Sequence, residues 1–258
     1  MNRTAPLLAL SILAIVAGCR QPEKPEERPA APVAAVPNAP EPAVPAVDIA
    51  NPATEAEAFH AAWNATAPLH RKVDDKGSSR ALVYRAAKLI ALGGDRYALI
   101  SSGDLEDAAH VDAGALAIHY LKRTPTGFER TGSWPEFVWD GSFGNAPLWE
   151  PRTDITADPA ILMTGGGTWQ GYTCEWTSLI ELTPQAPVMR TESFPTGYDS
   201  GGATMDPKDA RTMTATVVPD QKGRSFIVRY SGARTASVPY ALTGNRYVTT
   251  AKPDLLTC

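Results

Sequence analysis

At 258 residues, the chain is long enough to bury a core without metal staples even after a proline-rich N-terminal stretch is set aside. Its formal net charge of −4 is mild, and the basic residues are scattered rather than clustered. No basic stripe exists to follow a phosphate backbone, which excludes nucleic acid as an expected partner.

The N-terminus places a basic residue, Arg3, before an apolar run from Ala5 to Ala17 and small residues ahead of a cysteine. This run falls short of the roughly 20 apolar residues that a membrane span requires. Val16-Ala17-Gly18-Cys19 resembles the lipobox of bacterial lipoproteins, where a hydrophobic residue and two small ones precede an invariant cysteine. The resemblance covers only the signal segment and Cys19. It implies cleavage between Gly18 and Cys19, diacylglycerol on the Cys19 sulfur, and an acyl chain such as palmitate on the new amino terminus. A membrane held through that lipid is the implied partner. Arg20 follows the cysteine where an aspartate would signal retention at the inner membrane, so the implied location is the outer membrane, periplasmic side. With Cys19 lipidated, Cys174 and Cys258 remain as one disulfide pair in an oxidising compartment.

From Gln21 to Pro52 the chain is dominated by Pro, Ala and Glu and has no aromatic residue. Such a composition cannot offset its own ordering entropy and favours extended polyproline II conformations. Some 30 residues at about 3.1 Å each give a tether reaching roughly 90 Å. The expected organisation is therefore a signal peptide over 1–18, lipid anchor and tether over 19–52, and a globular domain over 53–258.

After the tether, Thr54 and Glu57 have capping-box spacing, alanines supply helix propensity, and Phe59 and Trp63 lie one turn apart. One helix is predicted here, ended by Pro68. Beyond Ser79 the texture becomes short β-branched and aromatic runs separated by Gly, Asp, Asn and Pro, which is hairpin chemistry. Three passages share the order of a four-stranded meander, beginning near Leu82, Trp149 and Thr212, about 65 residues apart. The fold class is thus mainly β: repeated antiparallel β-meanders, propeller-like or sandwich, with one N-terminal helix.

Motifs for chemistry are sparse. Neither GSFGN nor YDSGGA has the spacing of a serine-nucleophile elbow, and both read as turns. Asp104, Glu106, Asp107, His110 and Asp112 share one segment but lack the alternation of a calcium loop; they read as a solvated connection, and no metal or cofactor is assigned. Glu175 and Glu181 share a strand face, yet a separation of about 20 Å is too long for a glycosidase pair. Three glycines at 165–167 read as an irregular turn. Five of the six tryptophans fall between Trp134 and Trp176, as core fillers or as a platform for sugar rings. The candidate ligand-binding residues are Trp169, Gln170, Tyr172, Glu175 and Trp176, with alternation placing Trp169 opposite Tyr172 and Trp176. No catalytic residue is assigned. The leading expectation is a non-enzymatic binding or interaction module tethered to the envelope. A carbohydrate-binding protein for peptidoglycan or another envelope glycan is the second reading, with a protein partner also open, and a periplasmic hydrolase is the third.

Overall fold

The computed structural model describes residues 48–75, 78–85 and 88–258; the signal segment, Cys19 and the tether up to position 47 lie outside them. Its first element is helix α1 (Pro52–Trp63). The cap is Asn51 rather than Thr54: its side chain accepts the Ala53 N–H, and Pro52 opens the helix, where a missing N–H costs nothing. The helix stops at Asn64, whose left-handed φ of 53° ends it before Pro68 is reached. Ala58, Phe59 and Ala62 form its buried face. Ile49 packs against the same cluster, so folding begins within the stretch that composition assigned to the tether.

Six strands make the first sheet: β1 (Leu69–Asp75), β2 (Ser78–Tyr84), β3 (Lys88–Gly93), β4 (Arg96–Leu105), β5 (Gly114–Thr124) and β6 (Gly127–Asp140). β2 and β3 both pair with β4, at its C-terminal and N-terminal parts respectively. The second sheet holds nine: β7 (Leu148–Arg152), β8 (Ala160–Trp169), β9 (Tyr172–Leu182), β10 (Pro187–Met189), β11 (Phe194–Asp199), β12 (Thr212–Gln221), β13 (Ser225–Gly232), β14 (Ala236–Thr243) and β15 (Arg246–Val248). All pairings are antiparallel, and apart from β2 with β4 and β9 with β11 they join strands consecutive in the chain. The meanders read from the sequence are therefore present. The second and third passages run together in one sheet, joined by β11, which overlaps the expected turn YDSGGA at Tyr198 and Asp199.

Alternation sorts the side chains into layers. On β5, Ala115, Ala117 and Leu121 join α1 in one cluster, whereas Leu116, Ile118 and Tyr120 join Ile161 and Met163 of β8 and Ile180 and Leu182 of β9 in another. Every residue from Gly114 to Leu121 is buried because the first sheet is covered on both faces, by the helix and by the second sheet. A third cluster, with Leu179, Phe194, Phe226, Val228 and Tyr230, fills the C-terminal half, and Leu255 and Leu256 pack against it. Cys174 and Cys258 form a disulfide with Cα atoms 6.1 Å apart, closing a separation of 84 residues. The C-terminal segment is thereby fixed to β9.

Candidate functional site

β8 and β9 are joined by the two-residue turn Gln170-Gly171, with φ of 52° and 86°. Positive φ at both positions is the mirror-image turn that fits strand twist, and it explains the glycine at 171. Gly165–Gly167 lie inside β8 rather than in a turn. A Cβ at Gly165 would meet the Asp140 carboxylate, one at Gly166 the Cys174 carbonyl, and one at Gly167 the Trp169 ring. These glycines let neighbouring groups lie against the strand.

The tight turn overturns the expected facing of the aromatics. Trp169 pairs directly with Tyr172, and Gly165 with Trp176, so all three rings leave the same face. Alternation along a single strand misled because the residues sit on two strands. The Trp169 and Trp176 rings are 6.1 Å apart, edge to face, and Tyr172 reaches Tyr198 of β11 at 6.2 Å. Trp169 is 40% and Tyr172 39% exposed; Trp176 is half-buried, and Gln170 is exposed at the tip. The remaining tryptophans of the dense region divide. Trp134 meets Tyr120 edge to face and, with Trp149, packs against the inter-sheet core, while Trp139 reaches the surface.

Glu175 points to the other face of β9, away from the aromatic cluster. There it lines a groove of about 520 Å³ that also includes Leu162, Thr164, Thr177, Thr196, Thr214 and Thr216. Thr177 is buried, and its hydroxyl hydrogen-bonds both Thr164 and Thr196, each at 2.8 Å. A chain of hydroxyls thus crosses β8, β9 and β11, and exposed Thr214 and Thr216 line the groove beyond its end on β12, the Thr214 hydroxyl being bonded to Ser231 at 3.2 Å. A second recess of about 310 Å³, bounded by Phe143 and the loop at 141–147, shares Leu148, Thr164 and Glu175 with the groove. The two adjoin through these residues. Sequence reading found only Glu175 among these residues; the signal it passed over was Thr212, Thr214 and Thr216 recurring at every second position.

The groove's charges are unevenly committed. Arg152 donates from Nε and Nη2 to both oxygens of Asp154 at 2.9 Å, and its Nη1 lies 3.6 Å from Glu150. The guanidinium holds the Asp154 carboxyl below the ordinary carboxylate range. Glu175, by contrast, makes no hydrogen bond or ion pair with the described residues, and its carboxylate rests beside Gly197. At the Gly165 end, burial pushes the Asp140 carboxyl up, partly offset by the Gly141 N–H donated to its Oδ1 at 2.7 Å.

The other acidic segments serve the framework. Asp104 accepts from Arg85 at 2.7 Å and from the Ala146 N–H, and Asp112 accepts from Arg80 at 2.7 Å. Glu181 is buried and takes Arg190 Nε at 2.6 Å and the Asp158 N–H at 3.0 Å. No cluster of three or more metal-ligating side chains occurs among the described residues. Among the same residues, no helix is long and apolar enough to cross a membrane. No protein-family model, curated protein or solved structure matches the chain.

Proposed function

We propose that this protein is an envelope lipoprotein whose β-rich domain is a non-enzymatic binding module, held to the outer membrane by lipid on Cys19 and presented on a proline-rich tether. The observation that carries the reading is the groove across the second sheet, open to solvent and lined by hydroxyls with an uncommitted carboxylate. Concave sites with a few convergent polar groups are the usual places for ligands. The lipobox sequence supports the anchor. The Cys174–Cys258 disulfide accords with an oxidising compartment, and it leaves Cys19 as the third cysteine of the chain.

Co-sedimentation with detergent-extracted envelope fragments tests the module apart from its anchor. The full-length chain in detergent should pellet with the fragments. Thr214→Arg, which sets a long side chain on the exposed groove wall, should stay in the supernatant with an unchanged unfolding temperature. A wild type that never pellets, or a variant that pellets equally, rejects the groove as the binding site.

A further inference from the structure

We infer that the groove receives a neutral oligosaccharide lying across the strands, with Thr164, Thr177 and Thr196 as its central contacts. This rests on the groove being the ligand site and adds the class of ligand.

Direction is the first argument. The hydroxyl row runs perpendicular to β8, β9, β11 and β12, all interior strands whose backbone groups are engaged with neighbours. An extended peptide that adds to a sheet needs a free edge. Here only side chains are offered, so the ligand must carry its own hydrogen-bonding groups along its length. Four strands at about 4.8 Å spacing span about 14 Å, longer than a single sugar ring and suited to a chain.

Chemistry is the second. Each threonine hydroxyl has one proton and two lone pairs. In the row of three, two protons bridge Thr164, Thr177 and Thr196, leaving one to donate outward and lone pairs to accept. Partners that both donate and accept are what the row complements, and sugar hydroxyls are such groups. Glu175 adds an acceptor without an internal claim on it. Leu148, 77% exposed, and Phe143, 58% exposed, supply apolar edges for the carbon faces of sugar rings.

Charge is the third. Arg152 is the one cation among the residues lining the groove, and Asp154 already holds it in a two-point contact. Two carboxylates, Glu150 and Glu175, line the same space. A phosphorylated or sulfated chain would meet repulsion there, with no free cation among the described lining residues to offset it; exposed Arg229, opposite Thr216 on β13, lies beyond that lining.

Titration calorimetry of the full-length chain in detergent decides this, using neutral glucan and N-acetylglucosamine oligomers beside sulfated and phosphorylated counterparts. At least one neutral oligomer should bind, more tightly as it lengthens from one ring to several, and anionic counterparts should be at least tenfold weaker. Thr177→Val keeps shape and removes the central hydroxyl; it should lose about tenfold in affinity while its unfolding temperature holds. If Thr177→Val is unstable, Thr196→Val, at the half-buried end of the row, gives the same reading. Equal affinity in a folded variant overturns the placement. Failure of every oligosaccharide while envelope co-sedimentation and its Thr214→Arg sensitivity persist overturns the ligand class but leaves the binding module standing. Loss of co-sedimentation itself removes both.

Discussion

His119 is a single side chain with a consequence for the stability of the whole protein. It is fully buried on β5 beneath α1, and neither ring nitrogen has a hydrogen-bond partner among the described residues. Trp63 of α1 packs edge-on at 4.3 Å, and its Nε1 donates to Ser101. Burial, reinforced by the positive charges of Arg130 and then Arg71, brings the imidazole down to about 4. Arg130 is tied to the Ala62 carbonyl and Arg71 to Glu136, so neither turns away readily. Because the folded value lies below the unfolded value of 6.5, the neutral ring's contribution is complete above about pH 6.5 and is lost as pH falls toward 4. The loss by pH 4 comes to about 3 kcal/mol. Urea unfolding at about pH 7 and about pH 4 should show this for the wild type and a flatter response for His119→Leu, since the carboxylates common to both cancel in the comparison. Gly166 is a second position where one residue decides a packing. Its missing Cβ would lie 2.1 Å from the Cys174 carbonyl oxygen, a backbone atom that cannot move aside. Gly166→Ala should cost more than about 1 kcal/mol, read as a lowered thermal midpoint.

Among the elements, the β9 hairpin carries both the aromatic cluster and the attachment of the C-terminal segment. Closing 84 residues by a disulfide restricts the unfolded chain, and the chain-entropy model assigns about 4 to 5 kcal/mol to such a loop, before any loss to strain. Cys174→Ser with Cys258→Ser should lower denaturant stability by up to that amount, and added reductant should change the wild type but not the double variant. The elements also show what the sequence made legible. α1 could be read from Phe59 and Trp63 one turn apart, yet its start was misplaced because Thr54–Glu57 imitates a cap already supplied by Asn51. β11 escaped because Pro195 and Gly197 interrupt it; the strand survives by bulging between those residues while pairing with β9 and β12. Gly165–Gly167 looked like a turn because a glycine run signals chain freedom, whereas its cause is long-range: Asp140, the Cys174 carbonyl and Trp169 need the room. The groove was hidden for a related reason. Thr164, Thr177 and Thr196 come from three strands, and only the pairing register brings their hydroxyls together.

At the scale of the whole molecule, the proposed attachment and the proposed binding are separable. Cys19→Ala should abolish lipidation and signal removal at that residue without altering the fold, as mass spectrometry of the mature N-terminus and an unchanged circular dichroism spectrum would show. An unmodified wild-type chain beginning at another residue rejects the anchor. Stable attachment is expected because several acyl chains hold where one is only marginal. The disulfide also imposes an order of events on biogenesis. On the proposed export from the N-terminus, Cys174 would emerge 84 residues before Cys258, and in that interval its thiol would wait without its native mate. Cys19 would be the one other cysteine already outside. On the proposed lipidation, its sulfur is capped as a thioether and is no longer a competitor for exchange. Anchoring would then act as proofreading: the modification that fixes the protein to its membrane would also leave Cys258 as the remaining intramolecular choice.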